Sequence, residues 1–324
     1  MLGAARPPDY PVQIARADLS PYRHGGTGVD YVHRFDAPRA GPHVMVNGLT
    51  HGNELCGLWV VKRLLDAGIR PRAGRLTLSF ANVSAYERFD PTRLDMRFVD
   101  RDFNRLWRDD LIDSDTQTVE AARAREMRPV VATVDRLLDL HSTWHALQPF
   151  FVLARLPRAR QLADALGVPG RQLLLPDTWR EGFHLIDYGA LRAPAADAVG
   201  LIAECGQHFA QSSVDQAWAT AIRFLQVTGV IDADQADTLC PGLAPVPAQA
   251  IERFEIVQAV IAQSDNLRLT GSYAGFTRHA QGDVAAFDGD QAVLAPFDGA
   301  VLLAPRPDPK PGQQAFAWGR EVPA

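Results

Sequence analysis

His51 and Glu54 stand three residues apart in Asn47-Gly-Leu-Thr-His-Gly-Asn-Glu54, a spacing at which one divalent ion can draw two ligands from a single turn of chain. A His-x-x-Glu pair is too short to carry weight by itself, so its position decides its meaning. It follows directly on the apolar run His43-Val-Met-Val-Asn47. Two further apolar runs lead into similar chemistry: residues 134–140 into His141, and residues 199–203 into Glu204. Each run reads as a buried strand, and in open α/β sheets ligands bind beyond the carboxyl ends of the strands. The expectation is that His51, Glu54 and His141, each placed where a strand closes, converge on one metal ion with Glu204 beside it. Two imidazoles and a carboxylate leave tetrahedral zinc one open position, which is the catalytic pattern and not the structural one. Asp139 lies two residues before His141, so on a strand it faces the same side and either orients the imidazole or sits in solvent. His145 reads as a pocket-lining residue or as packing beside Trp144.

The elements that must position these groups follow from apolar spacing. Leu58, Val61 and Leu65 mark a helical face over residues 54–66, with Asn53 as its expected N-cap and Gly68 as its stop. A strand over residues 76–80 completes a β-α-β start, which favours a parallel sheet. The polar, arginine-rich stretch 82–115 lacks clear periodicity, and a stretch of that length inside a compact domain points to function. Beyond it the pattern gives a helix over 116–128, strands over 134–140, 150–154 and 171–175 with a helix over 158–166 among them, and a helix over 214–227 after the Glu204 strand.

The α/β part closes near Ile231, and Pro241, Pro245 and Pro247 mark a linker. From 251–262 and again from 291–303, short apolar runs alternate with Gly, Asp and Pro turns. The expected fold class is therefore α/β, a mixed and largely parallel sheet flanked by helices over residues 1–231. A linker over 232–249 then leads to a small, barrel-like all-β domain over 250–324. Ala295-Pro-Phe-Asp-Gly-Ala-Val301 looks like the opening of a biotinyl or lipoyl-type barrel, yet no lysine stands at the hairpin position that would carry a cofactor. Lys310 falls in a loop, and a structural or lid role suits this region better.

Composition narrows the class. The 324 residues are 47% hydrophobic and 22% charged, which suits a globular chain of one large and one smaller unit. A net charge of -5 with no offsetting basic cluster argues against a nucleic-acid surface. No apolar run is long enough to span a membrane, and the start of the chain lacks the apolar core of a signal peptide, so a cytoplasmic location is expected. Cys56, Cys205 and Cys240 suggest neither a disulfide framework nor a thiolate zinc site, and Cys56 and Cys205 read as small buried residues. All but two of the 33 basic residues are arginine, so an arginine counts only where its position is independently motivated.

Four motifs together resemble the succinylglutamate desuccinylase/aspartoacylase family, a branch of the zinc carboxypeptidase-like hydrolases. They are Asn47-Gly-Leu-Thr-His-Gly-Asn-Glu54, Arg97-Phe-Val-Asp-Arg-Asp-Phe-Asn-Arg105, Asp139-Leu-His-Ser-Thr143 and Glu204-Cys-Gly-Gln207. Phe103 replaces the family's usual Leu, and Val83 follows Asn82 where related sequences often carry Pro. The resemblance implies that His51, Glu54 and His141 hold one Zn2+ per chain and that Glu204 is general base and acid toward a zinc-activated water. It further implies that Asn104 and Arg105 bind the substrate α-carboxylate, that Arg97 polarises the scissile carbonyl, and that Asp102 holds the loop or a zinc-ligating histidine. Arg192 is a loosely aligned candidate for the acyl group. A bidentate arginine suits a carboxylate geometrically. The activity so implied is hydrolysis of a small N-acyl amino acid of the N-acetyl or N-succinyl type, with no nucleic-acid or membrane partner and with homo-oligomerisation left open. The rival readings are a metallocarboxypeptidase acting on peptides and a zinc-binding module without turnover.

Overall fold

The computed structural model describes residues 10–323 apart from 91–95, 116, 177–181, 246, 248–249, 272–274 and 307. Thr116, expected to open a helix, and the start of the chain lie outside the described residues. Strands β1 (Val32–Asp36) and β2 (His43–Gly48) precede helix α1 (Leu55–Asp66), and β3 (Arg75–Phe80) completes the first crossover. Short helices α2 (Val83–Arg88) and α3 (Asp109–Ile112), with a 3-10 turn over Phe103–Arg105 between them, occupy the polar stretch ahead of α4 (Val119–Val131). Then come β4 (Arg136–Thr143), β5 (Phe150–Ala154), α5 (Pro157–Leu166), β6 (Arg171–Leu175) and β7 (Val199–Gln207). Helices α6 (Gln211–Val227) and α7 (Ala233–Leu239) follow. The remainder is β8 (Glu252–Ile261), β9 (Leu267–Leu269), β10 (Thr277–His279), β11 (Val284–Asp288), β12 (Gln291–Leu294), β13 (Ala300–Leu303) and β14 (Gln314–Glu321).

Among the described residues, eleven strands form one mixed sheet in the order β1-β3-β2-β4-β7-β5-β6-β8-β14-β13-β10. The central strands β3, β2, β4 and β7 are mutually parallel, and β5 reverses the sense against β7. Alternation along each strand sorts side chains to two faces. Val44, Val46, Leu138, Leu140, Leu201 and Ala203 enter the core that α1, α5 and α6 cover. Met45, Leu137, Ile202, Val152 and Leu173 enter a second core with Met127 and Val131 of α4 and with β13 and β14. Helix α1 lies hard against the sheet because glycine meets glycine. A Cβ on Gly48 would come within 2.6 Å of the Gly57 backbone, and one on Gly57 within 3.0 Å of the Leu140 carbonyl. That contact fixes the height of the helix whose start carries Glu54.

Several expectations are corrected. Helix α1 is capped by Glu54, not Asn53, and without a side-chain cap bond. The reason is that the Glu54 carboxylate is turned toward two histidines, while Asn53 Oδ1 is buried without a partner among the described residues. His141 and Glu204 do not terminate strands: β4 runs on to Thr143 and β7 to Gln207, and the two residues pair in register across them. Helix α7 occupies part of the expected linker. Among the described residues of the C-terminal region only β9, β11 and β12 form a sheet of their own, because β8 pairs parallel to β6 and carries β14, β13 and β10 onto the main sheet. No helix among the described residues is long and apolar enough to cross a membrane.

Candidate metal centre and active site

The chain leaves β2 through Leu49, whose φ of 59° is the left-handed conformation that non-glycine residues seldom adopt. This turn doubles Thr50 and His51 back over the end of the sheet. Thr50 Oγ1 donates to Asp139 Oδ1 at 2.7 Å and Asn47 Nδ2 does the same at 2.8 Å, so Asp139 is held before it meets any histidine. Asp139 and His141 alternate onto one face of β4, and Asp139 Oδ2 lies 2.8 Å from His141 Nε2.

The ligand atoms of His51, Glu54 and His141 all lie within 4.8 Å of one another, and all three residues are buried. His51 Nδ1 is 2.8 Å from Glu54 Oε1, and His141 Nδ1 is 2.8 Å from Glu54 Oε2. Both rings thus present Nδ1 to the same carboxylate and hand Nε2 to another: His51 to Asp102 at 3.0 Å, His141 to Asp139. A carboxylate behind each imidazole fixes its tautomer and raises its basicity toward a metal. Burial opposes the charged form of His141, yet Asp139 and Glu54 outweigh it and hold the ring well above its ordinary pKa. Burial likewise works against the Glu54 carboxylate, and His51 with His141 overcome it and hold the group well below the usual range. The cluster therefore demands positive charge between these side chains, which suits a divalent cation there.

Glu204 stands beside this cluster as the register partner of His141. Its Oε2 is buried without a hydrogen-bond partner among the described residues. Burial is the main cause that pushes its pKa up, to about 8, with His141 pulling down and Glu54 pushing up.

The loop bearing Arg97 to Arg105 is held by a residue that the sequence pattern did not single out. Glu120, buried in the first turn of α4, accepts the backbone N–H groups of Val99, Asp100 and Arg101 at 2.7, 3.1 and 3.1 Å. It also accepts Asn82 Nδ2 at 3.1 Å, whose Oδ1 caps α2. Three N–H groups on one carboxylate make a rigid seat. From that seat Arg97 Nε reaches Asp102 Oδ2 at 3.1 Å and Nη1 reaches Glu54 Oε1 at 3.2 Å, while none of the described hydrogen bonds uses Nη2. Burial opposes ionisation of Asp102, but Arg97 and His51 hold it well below the carboxylate range. Asn104 Oδ1 accepts Leu185 N–H at 2.8 Å, which turns the amide nitrogen into the group available to a ligand.

His51, Glu54, Arg97, Asn104, Arg105, His141 and Glu204 all border one cavity of about 420 Å³. Residues of the C-terminal region, Ala304 to Arg306 and Gln313 to Gln314, form part of its wall. His208 also lines it and was missed in the sequence, although it follows Glu204 by four residues. Its Nδ1 lies 2.8 Å from Ser142 Oγ, Ser142 N–H donates to Glu54 Oε2 at 3.2 Å, and burial drives the imidazole down to about 4. Arg192 is not brought to this cavity. It holds Asp187 Oδ1 at 2.9 Å and lines a neighbouring cavity of about 230 Å³ with Tyr188 and His184. His145 borders the main cavity, and Cys56 and Cys205 are buried.

Residues 40–173 match the succinylglutamate desuccinylase/aspartoacylase catalytic domain. A succinylglutamate desuccinylase of Burkholderia lata is 27% identical over 300 residues, 86% of this chain and 79% of that protein. Over residues 40–173 the chain is thus similar to the succinylglutamate desuccinylase/aspartoacylase family. A probable aspartoacylase of Parasynechococcus marenigrum is 37% identical over 138 residues, which cover 39% of this chain and 44% of that protein. The succinylglutamate desuccinylase structure from Vibrio cholerae shares the fold with a TM-score of 0.68 at 20% identity, covering 91% of this chain and 86% of that one. The desuccinylase/aspartoacylase match begins just before β2 and ends in β6, so it takes in the His51, Glu54 and His141 cluster and the Arg97 to Arg105 loop. The chain spans less than half the length of the aspartoacylase relative and about four fifths of the desuccinylase relative.

Proposed function

We propose that the chain is a zinc-dependent deacylase that hydrolyses the amide bond of a small N-acyl amino acid. The observation that carries this is the juxtaposition of a buried His51, Glu54 and His141 cluster with Glu204, whose Oε2 is buried without a hydrogen-bond partner among the described residues and whose pKa is raised to about 8. His51, Glu54 and His141 would hold the ion, which supplies the charge that polarises the scissile carbonyl and acidifies a water molecule. Glu204 takes the proton from the attacking water and passes it to the leaving amine nitrogen. Its raised pKa suits both transfers near neutrality. Arg97, anchored through Nε and Nη1, offers Nη2 to the carbonyl oxygen as charge develops there. Asn104 and Arg105 grip the α-carboxylate from the same loop. Asp102 and Asp139 hold the two imidazoles from behind. Arg192, on the far side of His184, takes no part in this arrangement.

The wall contributed by residues 304–306 and 313–314 suits a small substrate better than a peptide chain. The test is primary-amine release from a panel of N-acyl amino acids by protein stripped of metal and then reconstituted. Release is expected only after zinc is restored, and no release from any member by zinc-loaded protein counts against the deacylase reading. Arg105→Ala is expected to raise KM about ten- to a hundred-fold for substrates with a free α-carboxylate, the value of a charged hydrogen bond. An equal loss on an α-carboxamide analogue would remove Arg105 from that role.

A further inference from the structure

The face of the sheet that carries the candidate ligands changes character where β5 meets β7. One register row across it runs Asn47, Asp139, Ile202, Val152, Leu173, Phe254, and the next row on the same face runs His141, Glu204, Phe150. On the β2 and β4 side these rows are polar or charged. Beyond Glu204 they are apolar. Phe150, Val152, Leu173, Leu175, Ile202 and Ile256 border the cavity, and each is at most 9% exposed. The cavity's arginines stand on other walls, Arg97 and Arg105 on the loop that Glu120 holds and Arg306 in the wall from the C-terminal strands.

We propose that this apolar floor is the acyl subsite, and that the natural acyl group is a hydrocarbon larger than acetyl and without a terminal charge. The inference rests on the deacylase reading above. Three observations carry it. The floor begins at Glu204's own neighbours, Phe150 across the register and Ile202 two residues back, so it starts beside the scissile carbonyl carbon to which the acyl chain is attached. The amino-acid side chain instead branches one bond from the α-carboxylate, next to Asn104 and Arg105. A cavity of about 420 Å³ falls in the range that accepts drug-sized ligands, about 300–1,000 Å³, and an acetyl group would leave the floor uncovered. A succinyl carboxylate laid along these six side chains would lose its hydration with no partner among them.

The experiment is a kcat/KM series on the zinc-loaded full chain with N-acetyl, N-succinyl, N-butanoyl, N-hexanoyl and N-benzoyl derivatives of aspartate, leucine and phenylalanine. Burial of each added methylene is expected to raise kcat/KM roughly four-fold, so that butanoyl exceeds acetyl by more than about ten-fold whichever amino acid is used. Leu173→Phe, which narrows the floor, is expected to lower the hexanoyl-to-acetyl ratio by about ten-fold or more. Where that variant does not fold, the acyl series on the native chain decides alone. Acetyl or succinyl derivatives turned over as fast as butanoyl or faster overturn the acyl subsite and leave the deacylase reading intact. A preference that follows the amino-acid side chain and ignores acyl length overturns it as well, reassigning the floor to that side chain. No release from any member overturns both.

Discussion

Glu204→Gln is expected to retain a full complement of zinc and to lower kcat for amide hydrolysis by about a hundred- to ten-thousand-fold, the usual worth of general acid–base transfer. The substitution keeps the shape of the side chain and removes only its ability to carry a proton. Its surroundings explain why so much should depend on it. Oε2 is buried and finds no partner among the described residues, so the group is not spent on holding the fold. Burial raises its pKa to about 8 against the pull of His141, which leaves a carboxyl able both to accept and to return a proton near neutral pH. Metal content by elemental analysis and single-turnover rates separate the outcomes. An unchanged rate with zinc bound would falsify the role, and loss of zinc would show instead that Glu204 belongs to the ion's coordination.

His141→Ala carries the second large effect, on metal retention and stability together. The imidazole lies between two buried carboxylates, 2.8 Å from Asp139 and 2.8 Å from Glu54. Without it Asp139 keeps, among the described residues, only the neutral donors Asn47 and Thr50, and Glu54 keeps His51 and Arg97, so two buried carboxylates share less positive charge. Breaking a buried pair costs about 3–5 kcal/mol where the charge left behind has no other partner, and the partners that remain here set that figure as the upper end of the expected loss. The expected result is zinc content near background, no detectable turnover, and a lowered midpoint of thermal or denaturant unfolding in the metal-free protein. His141→Asn, which returns a polar group to the gap, should recover part of the stability but not the zinc. Stoichiometric zinc with normal turnover in either variant would remove His141 from the ligand set.

The amino-acid sequence by itself determines the local part of the design. The His51 and Glu54 pair, the helix that follows it, the strands leading to His141 and Glu204, and the β5-α5-β6 alternation all follow from short-range spacing, because a period of two or of 3.6 is fixed by neighbouring residues. So do the residue types for the chemistry, since imidazole, carboxylate and guanidinium have few substitutes in metal binding, proton transfer and carboxylate recognition. Tertiary structure alone decides how these pieces meet. The register that sets His141 beside Glu204 joins strands some 60 residues apart in sequence. The seat that Glu120 offers to the Arg97 loop depends on the first turn of α4 coming under Val99, and nothing in its sequence context marks that carboxylate as different from a solvated one. Arg192 is a candidate by approximate sequence position only, and it lies beyond His184 in another cavity. The C-terminal strands read as a separate barrel because their turns are local, yet β8 joins β6 and extends the main sheet. Backbone pairing between distant strands is set by which edges and apolar faces remain uncovered once the rest of the chain has packed, and no short window of sequence contains that information.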